Sequence, residues 1–183
     1  NLINGLHFQD TLCVSVPSIR KNRRGFTPDP IFPDDAAQIE ANLTAFRKEI
    51  LSLKSEYENK FASLADVTLF ALASEFVYMT ADMGLFVDGY FLKQDIHWTE
   101  RDVSEFEEYL RESDIKTVIH KWPPDEKIKQ AIVDAGAALV VLDSAESGLK
   151  IDRQLVPDGY QQQLASNLEL LYQALRAAGE TAQ

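Results

Sequence analysis

The sequence predicts an α/β fold: a four-stranded, mainly parallel, Rossmann-like sheet covered by helices and preceded by one long strut helix. Three observations predict it. Short apolar runs recur at residues 67–73, 85–91, 115–119 and 138–142, each the length of a strand buried on both faces. Segments with helical spacing separate them, which implies parallel pairing through right-handed crossovers. Ahead of them an apolar stripe steps by four and three from Ile39 through Leu43, Phe46, Ile50, Leu53, Tyr57 and Phe61 to Leu64, the period of one helix face.

The elements follow in order. Residues 2–13 have mixed patterning, and residues 17–33, with Arg20, Lys21, Arg23, Arg24, Gly25 and several prolines, read as an irregular connector. Asp34 and Asp35 are placed to cap the strut, which at about 1.5 Å per residue is about 45 Å long. Its stripe is expected to pack against the rest of the chain throughout. A first strand over 67–73 runs into a helix over 74–83 stopped by Gly84, and a second strand follows over 85–91. Thr99-Glu100-Arg101-Asp102 resembles a capping box, opening a helix with Val103, Phe106 and Leu110 inward. After the third strand, Pro123-Pro124-Asp125 starts a helix carrying Ile128, Ile132 and Ala135, and Gly136 stops it ahead of the fourth. Tyr160, Leu164, Leu168, Leu171 and Leu175 mark a closing amphipathic helix. The domain reading is therefore an N-terminal remnant and connector (1–33), a long backbone helix (34–65) and an α/β lobe (66–183).

Composition narrows the partners. The chain has 183 residues, 45% of them hydrophobic, and a formal charge of -11 from 18 basic and 29 acidic residues. That is enough apolar content for a real core, and the charge argues against nucleic acid or an anionic membrane, both of which need clustered Lys and Arg. The short basic cluster around Arg20–Arg24 reads as a solvated loop. Cys13 stands alone, so no internal disulfide forms and no Cys-x-x-Cys site exists. No apolar run reaches the span of about 18 residues that membrane insertion requires. The chain starts at Asn1 and not at Met, from which a processed, proteolysed or subcloned piece is expected, with any leader lost upstream.

Parallel strands put all their C-terminal ends on one edge, the ligand edge of open α/β sheets. Here that edge collects Ala73-Ser74-Glu75, the stretch from Asp95 to Trp98 with His97, His120-Lys121-Trp122 and Asp143-Ser144. His, Asp and Glu together suit zinc or manganese better than calcium, whose ligands are oxygens. Strand-end polar residues also cap helices and close turns, so a structural role stands beside the metal reading. Ser74, His120 and Asp143 could be named a hydrolase triad. A nucleophile elbow, however, needs glycines two residues before and after the serine, where Leu72 and Phe76 stand. No glycine-rich phosphate loop follows any strand.

Several stretches resemble one family. Asn4-Gly5-Leu6, Ile39-Glu40-Ala41-Asn42-Leu43-Thr44-Ala45-Phe46 in the strut, Phe76-Val77-Tyr78 followed by Gly84-Leu85, Val140-Val141-Leu142-Asp143-Ser144 with Gly148, and Tyr160 with Asn167-Leu168 occur in the right order. They resemble motifs of the metal-binding receptors of bacterial zinc and manganese ABC transporters, the helical-backbone solute-binding family. The resemblance covers most of residues 34–179 and implies the second lobe and strut of such a receptor. It implies a periplasmic or extracytoplasmic location, a membrane permease as partner, and no enzymatic activity.

It also implies where metal ligands stand. A family His or Glu lies three residues before the Phe of Phe-x-Tyr, where this chain has Ala73; Glu75 comes two residues late and reads either as a displaced ligand or as a first-turn acid favoured by the helix dipole. Two family histidines have no counterpart, since Asp29-Pro30 is followed by Ile31. Only Asp143 matches directly. The expected metal residues are therefore Asp143, then His120, then Glu75, with His97 behind them, binding zinc or manganese weakly or not at all. A non-transport binding or accessory protein that keeps the fold without metal is the alternative, and a hydrolase comes third. Apolar groups left open along the strut or beside residues 2–8 are expected to drive self-association.

Overall fold

The computed structural model describes residues 34–181; the readings for the Asn-Gly-Leu motif, Cys13, the basic cluster and the connector lie outside them. The chain falls into two compact units, residues 1–44 and 45–183. Of the first, the described part is residues 34–44, which enter the long helix α1 (Ala36–Ala62), and there Ile39 is 52% exposed. The second unit holds everything that follows.

The lobe alternates as the periodicity predicts: β1 (Thr68–Ala71), α2 (Val77–Asp82), β2 (Phe86–Tyr90), α3 (Glu100–Glu112), β3 (Thr117–His120), α4 (Glu126–Asp134), β4 (Ala138–Val141) and α5 (Gly159–Thr181). The four strands pair in parallel in the order β2-β1-β3-β4. Side chains alternate across the sheet, and the two faces serve two cores. Leu69, Ala71, Ala73 and Ile119 join Tyr57 and Phe61 of α1 and Leu168, Leu171 and Leu175 of α5 on one side. Phe70, Leu72 and Val118 join Phe106 and Leu110 of α3 and Ile128 and Ile132 of α4 on the other. Burial of this apolar surface, at about 25 cal/mol per Å², is what holds the layers together.

Three helices turn into strands by one device. Gly84, Asp114 and Gly136 each adopt positive φ (69°, 53° and 75°) just past a helix. The next N–H then bonds back to the last full turn, as Leu85 to Thr80 at 2.9 Å, Ile115 to Leu110 at 3.0 Å and Ala137 to Ile132 at 2.9 Å. At the start of α3, Thr99 and Asp102 form the capping box that their spacing suggests.

The structure corrects three expectations and adds two elements. The strut stripe is not buried throughout: Phe46 is 38% exposed, and burial becomes deep only at Tyr57 and Phe61, because the sheet-side core meets α1 from Leu53 onward. The helix after β1 does not begin at Ser74; residues 74–76 form a turn and α2 has six residues. The outer strand β2 is not covered on both faces, with Phe86 59% and Tyr90 41% exposed, since an edge strand of a short sheet lies beyond the helices. Two elements carried no periodic signal: a 3-10 turn at Asp95–His97 and a small antiparallel ribbon, β5 (Lys150–Ile151) with β6 (Gln154–Leu155).

Candidate metal centre

At the C-terminal edge of the sheet the polar side chains divide into two groups. The first is built on β3. His120 ends that strand with its side chain 4% exposed, so the imidazole must be satisfied from within. The backbone N–H of Lys121 donates to Nδ1 at 2.7 Å, and that of Trp122 lies at 3.3 Å from the same atom. These contacts assign the proton to Nε2, which lies 3.6 Å from Asp95 Oδ1. Asp95 in turn accepts the N–H of Asp125 through its other oxygen at 3.2 Å, so the pair ties the 3-10 turn and the start of α4 to the strand. Burial pushes the His120 imidazole below its ordinary value, with the Asp95 carboxylate opposing. Nδ1 is thus held by backbone N–H groups, and Nε2 faces the Asp95 carboxylate.

The second group lies where β1 and β4 end. Glu75 and Asp143 line one cleft of about 120 Å³ together with Phe76, Met79, Tyr160 and Leu164. Asp143 follows Leu142, the last core residue of β4, and the closing helix holds it from the other side. Asn167 grips its backbone twice, with Oδ1 accepting the Asp143 N–H at 2.9 Å and Nδ2 donating to the Asp143 carbonyl at 2.7 Å. Gln163 Nε2 donates to Oδ2 at 3.1 Å, and the N–H of Ala145 donates to Oδ1 at 2.7 Å. Each oxygen thus receives one hydrogen bond and keeps a lone pair for a further partner.

Glu75 sits in the turn before α2, not in its first helical turn. Its carboxylate is paired with the Lys121 ammonium, which also lies 4.4 Å from the centroid of the Trp122 ring. This ammonium holds the Glu75 carboxyl below the usual carboxylate range, against the opposing effect of partial burial. Ala73 is 4% exposed and belongs to the core. His97 ends the 3-10 turn as an exposed residue, outside the residues lining the cleft.

The structure therefore brings Glu75 and Asp143 together and gives His120 other partners. Among the described residues, no group of three or more His, Cys, Asp or Glu side chains is arranged to hold a metal ion. A triad of Ser74, His120 and Asp143 has no support either, because the carboxylate facing His120 is Asp95. Sequence reasoning missed Lys121 as the partner of Glu75, and Gln163 with Asn167 as the holders of Asp143. The last two did leave a signal: polar amides four residues apart, only 7% and 6% exposed, inside a leucine stripe.

The model of the family described as zinc-uptake complex component A, periplasmic (ZnuA) matches residues 30–174. No curated protein sequence matches the chain. Among solved structures, the laminin-binding protein Lbp of Streptococcus pyogenes is similar at 26% identity and a TM-score of 0.59, over 78% of this chain and 54% of its own. The solute-binding protein FpvC of Pseudomonas aeruginosa, in complex with Mn2+, is similar in fold at 18% identity and a TM-score of 0.65, over 80% of this chain and 55% of its own. Zn(II)-bound AdcA of Streptococcus pneumoniae is similar in fold at 20% identity and a TM-score of 0.65, over 79% of this chain and 32% of its own. The chain spans about half the length, or less, of these proteins.

Proposed function

The chain belongs to the zinc-uptake complex component A family, and from that premise we propose that it acts as the substrate-binding component, or part of one, of a bacterial metal-ion ABC importer. Zinc or manganese is its cargo, captured outside the cytoplasm and passed to a membrane permease. It is a binding protein and not an enzyme. No helix among the described residues is long and apolar enough to cross a membrane.

The observation that carries this reading is the placement of Asp143. The acid stands just past the last core residue of β4, fixed at its backbone and at both oxygens, in a cleft shared with Glu75. Such restraint suits a ligand, since a carboxylate already oriented loses little entropy on meeting a cation. Zinc sites of useful affinity take about four ligands. Two carboxylates, one of them paired with a lysine, leave the ion largely hydrated, so binding by this chain is weak. His120 serves the loops in this reading and joins a metal only if its ring leaves Asp95 and the backbone.

The accessory-protein reading, a receptor fold without metal, is favoured by one observation: buried Ala73 fills the place where the resemblance calls for a ligand. Calorimetry with zinc chloride and manganese chloride separates the two. Weak heats, modestly reduced in Asp143→Ala, fit the proposal. Tight stoichiometric binding abolished by Asp143→Ala or His120→Ala would replace the weak site by a complete one. No heat at millimolar metal would leave the accessory reading. Self-association through apolar side chains left open along the strut, such as Leu51, is part of the same proposal.

A further inference from the structure

Among the described residues, Lys121 is the cation paired with Glu75, one of the two acids of the cleft, and its position is built. The side chain is 22% exposed, its ammonium pairs with Glu75, and its charge lies 4.4 Å from the centroid of the indole ring of Trp122. The residue follows His120 directly, and its own N–H is fixed on the buried imidazole at 2.7 Å. The lysine therefore starts from a rigid point, with an aromatic face on one side and a carboxylate on the other.

From this geometry we propose that Lys121 is a tethered competitor for the cation site: its ammonium occupies Glu75 and lowers the affinity of the cleft for divalent metal. The inference rests on the metal-receptor reading of Asp143 and adds to it a residue that determines affinity. With Lys121 in place, Glu75, Asp143 and Lys121 together carry one net negative charge; without it they carry two, and Glu75 gains a free oxygen. Both changes favour a divalent ion, and at short range in a partly desolvated cleft the Coulomb change alone is large enough to be measured. A further oxygen belongs to a residue that holds Asp143. Gln163, 7% exposed, donates to Asp143 through Nε2 while its Oε1 is buried with no hydrogen-bond partner, a neutral oxygen of the kind that manganese accepts beside carboxylates.

The test is calorimetry of the full chain with zinc chloride, and separately with manganese chloride, for the wild type, Lys121→Gln, Lys121→Arg and Lys121→Gln/Glu75→Gln, each checked for an unchanged circular dichroism melt. Lys121→Gln is expected to bind at least about ten-fold more tightly than the wild type, a difference that the loss of one nearby positive charge readily supplies. Lys121→Arg keeps the charge and is expected to stay at the wild-type value. The double variant is expected to lose the gain. An affinity of Lys121→Gln within two-fold of the wild type, an equal gain in Lys121→Arg, or a gain that survives removal of Glu75 would each overturn the proposal. Adding Asp143→Ala to Lys121→Gln separates this inference from the reading beneath it. A Glu75-dependent gain that ignores Asp143 keeps the competitor and removes Asp143 as the ligand, whereas loss of all binding keeps both.

Discussion

Two carboxylates stand at the same edge of one sheet, and their surroundings differ. Asp95 faces a buried imidazole and a backbone N–H, and it joins the loop after β2 to the ends of β3 and α4. Asp143 faces a cleft, with one hydrogen bond to each oxygen. A sheet edge gathers polar residues for two reasons, closing the fold and meeting a ligand, and residue type does not separate them. The number of lone pairs and protons left over does. On that measure His120 with Asp95 closes the fold, and Asp143 with Glu75 is the pair that the proposed function assigns to the ion.

The largest effect that would break this division is on stability. His120→Ala empties a buried position and strips the N–H groups of Lys121 and Trp122 of their acceptor, a loss of about 2–4 kcal/mol. Its pH dependence sharpens the point. Burial holds the native imidazole neutral, whereas the unfolded chain takes up a proton near the ordinary value of 6.5. Wild-type stability is therefore full above that value and declines as pH falls from it toward the lower native value, while the variant lacks the decline. Denaturant melts from pH 8 to pH 5 should show the gap between the two proteins narrowing. A gap that widens would mean that Asp95 outweighs burial and that His120 is charged in the fold.

A smaller effect is expected at Asn167. Its amide pairs with both backbone groups of Asp143 inside the core edge, and Asn167→Ala leaves an N–H and a carbonyl without these partners, at a cost of about 1–3 kcal/mol. The same melts, with Asn167→Asp as the variant that keeps an acceptor but loses the donor, measure it. A loss below a few tenths of a kcal/mol would mean that water replaces the amide and that Asp143 is not rigidly held.

The sheet was legible because its signals are local and redundant: apolar runs of strand length, glycines where positive φ is needed after α2 and α4, and Thr99 three residues before Asp102. Asp114 closes α3 in the same left-handed conformation as those glycines, and nothing in its type marks it. The partners at the edge were less legible because they are long-range. Lys121 meets Glu75 across 46 positions and His120 meets Asp95 across 25, separations that only the order β2-β1-β3-β4 brings together. Within α5, by contrast, Gln163 and Asn167 could have been singled out, since two amides on the buried stripe of a leucine-rich helix need partners at the end of a strand. Within the second unit the strut misled because its stripe already includes Phe46, whereas the sheet-side core meets α1 from Leu53 onward.

Manganese provides the most direct test of the division between fold and site, because a paramagnetic ion bound weakly still marks the residues around it. Amide spectra recorded with substoichiometric manganese chloride should broaden first at Glu75, Asp143, Ser144 and Ala145, while the amide of His97 stays sharp and the Nε2 proton of His120 remains on the ring. Broadening centred on His97, displacement of the His120 proton by the ion, or no broadening at the cleft up to millimolar manganese would contradict the account.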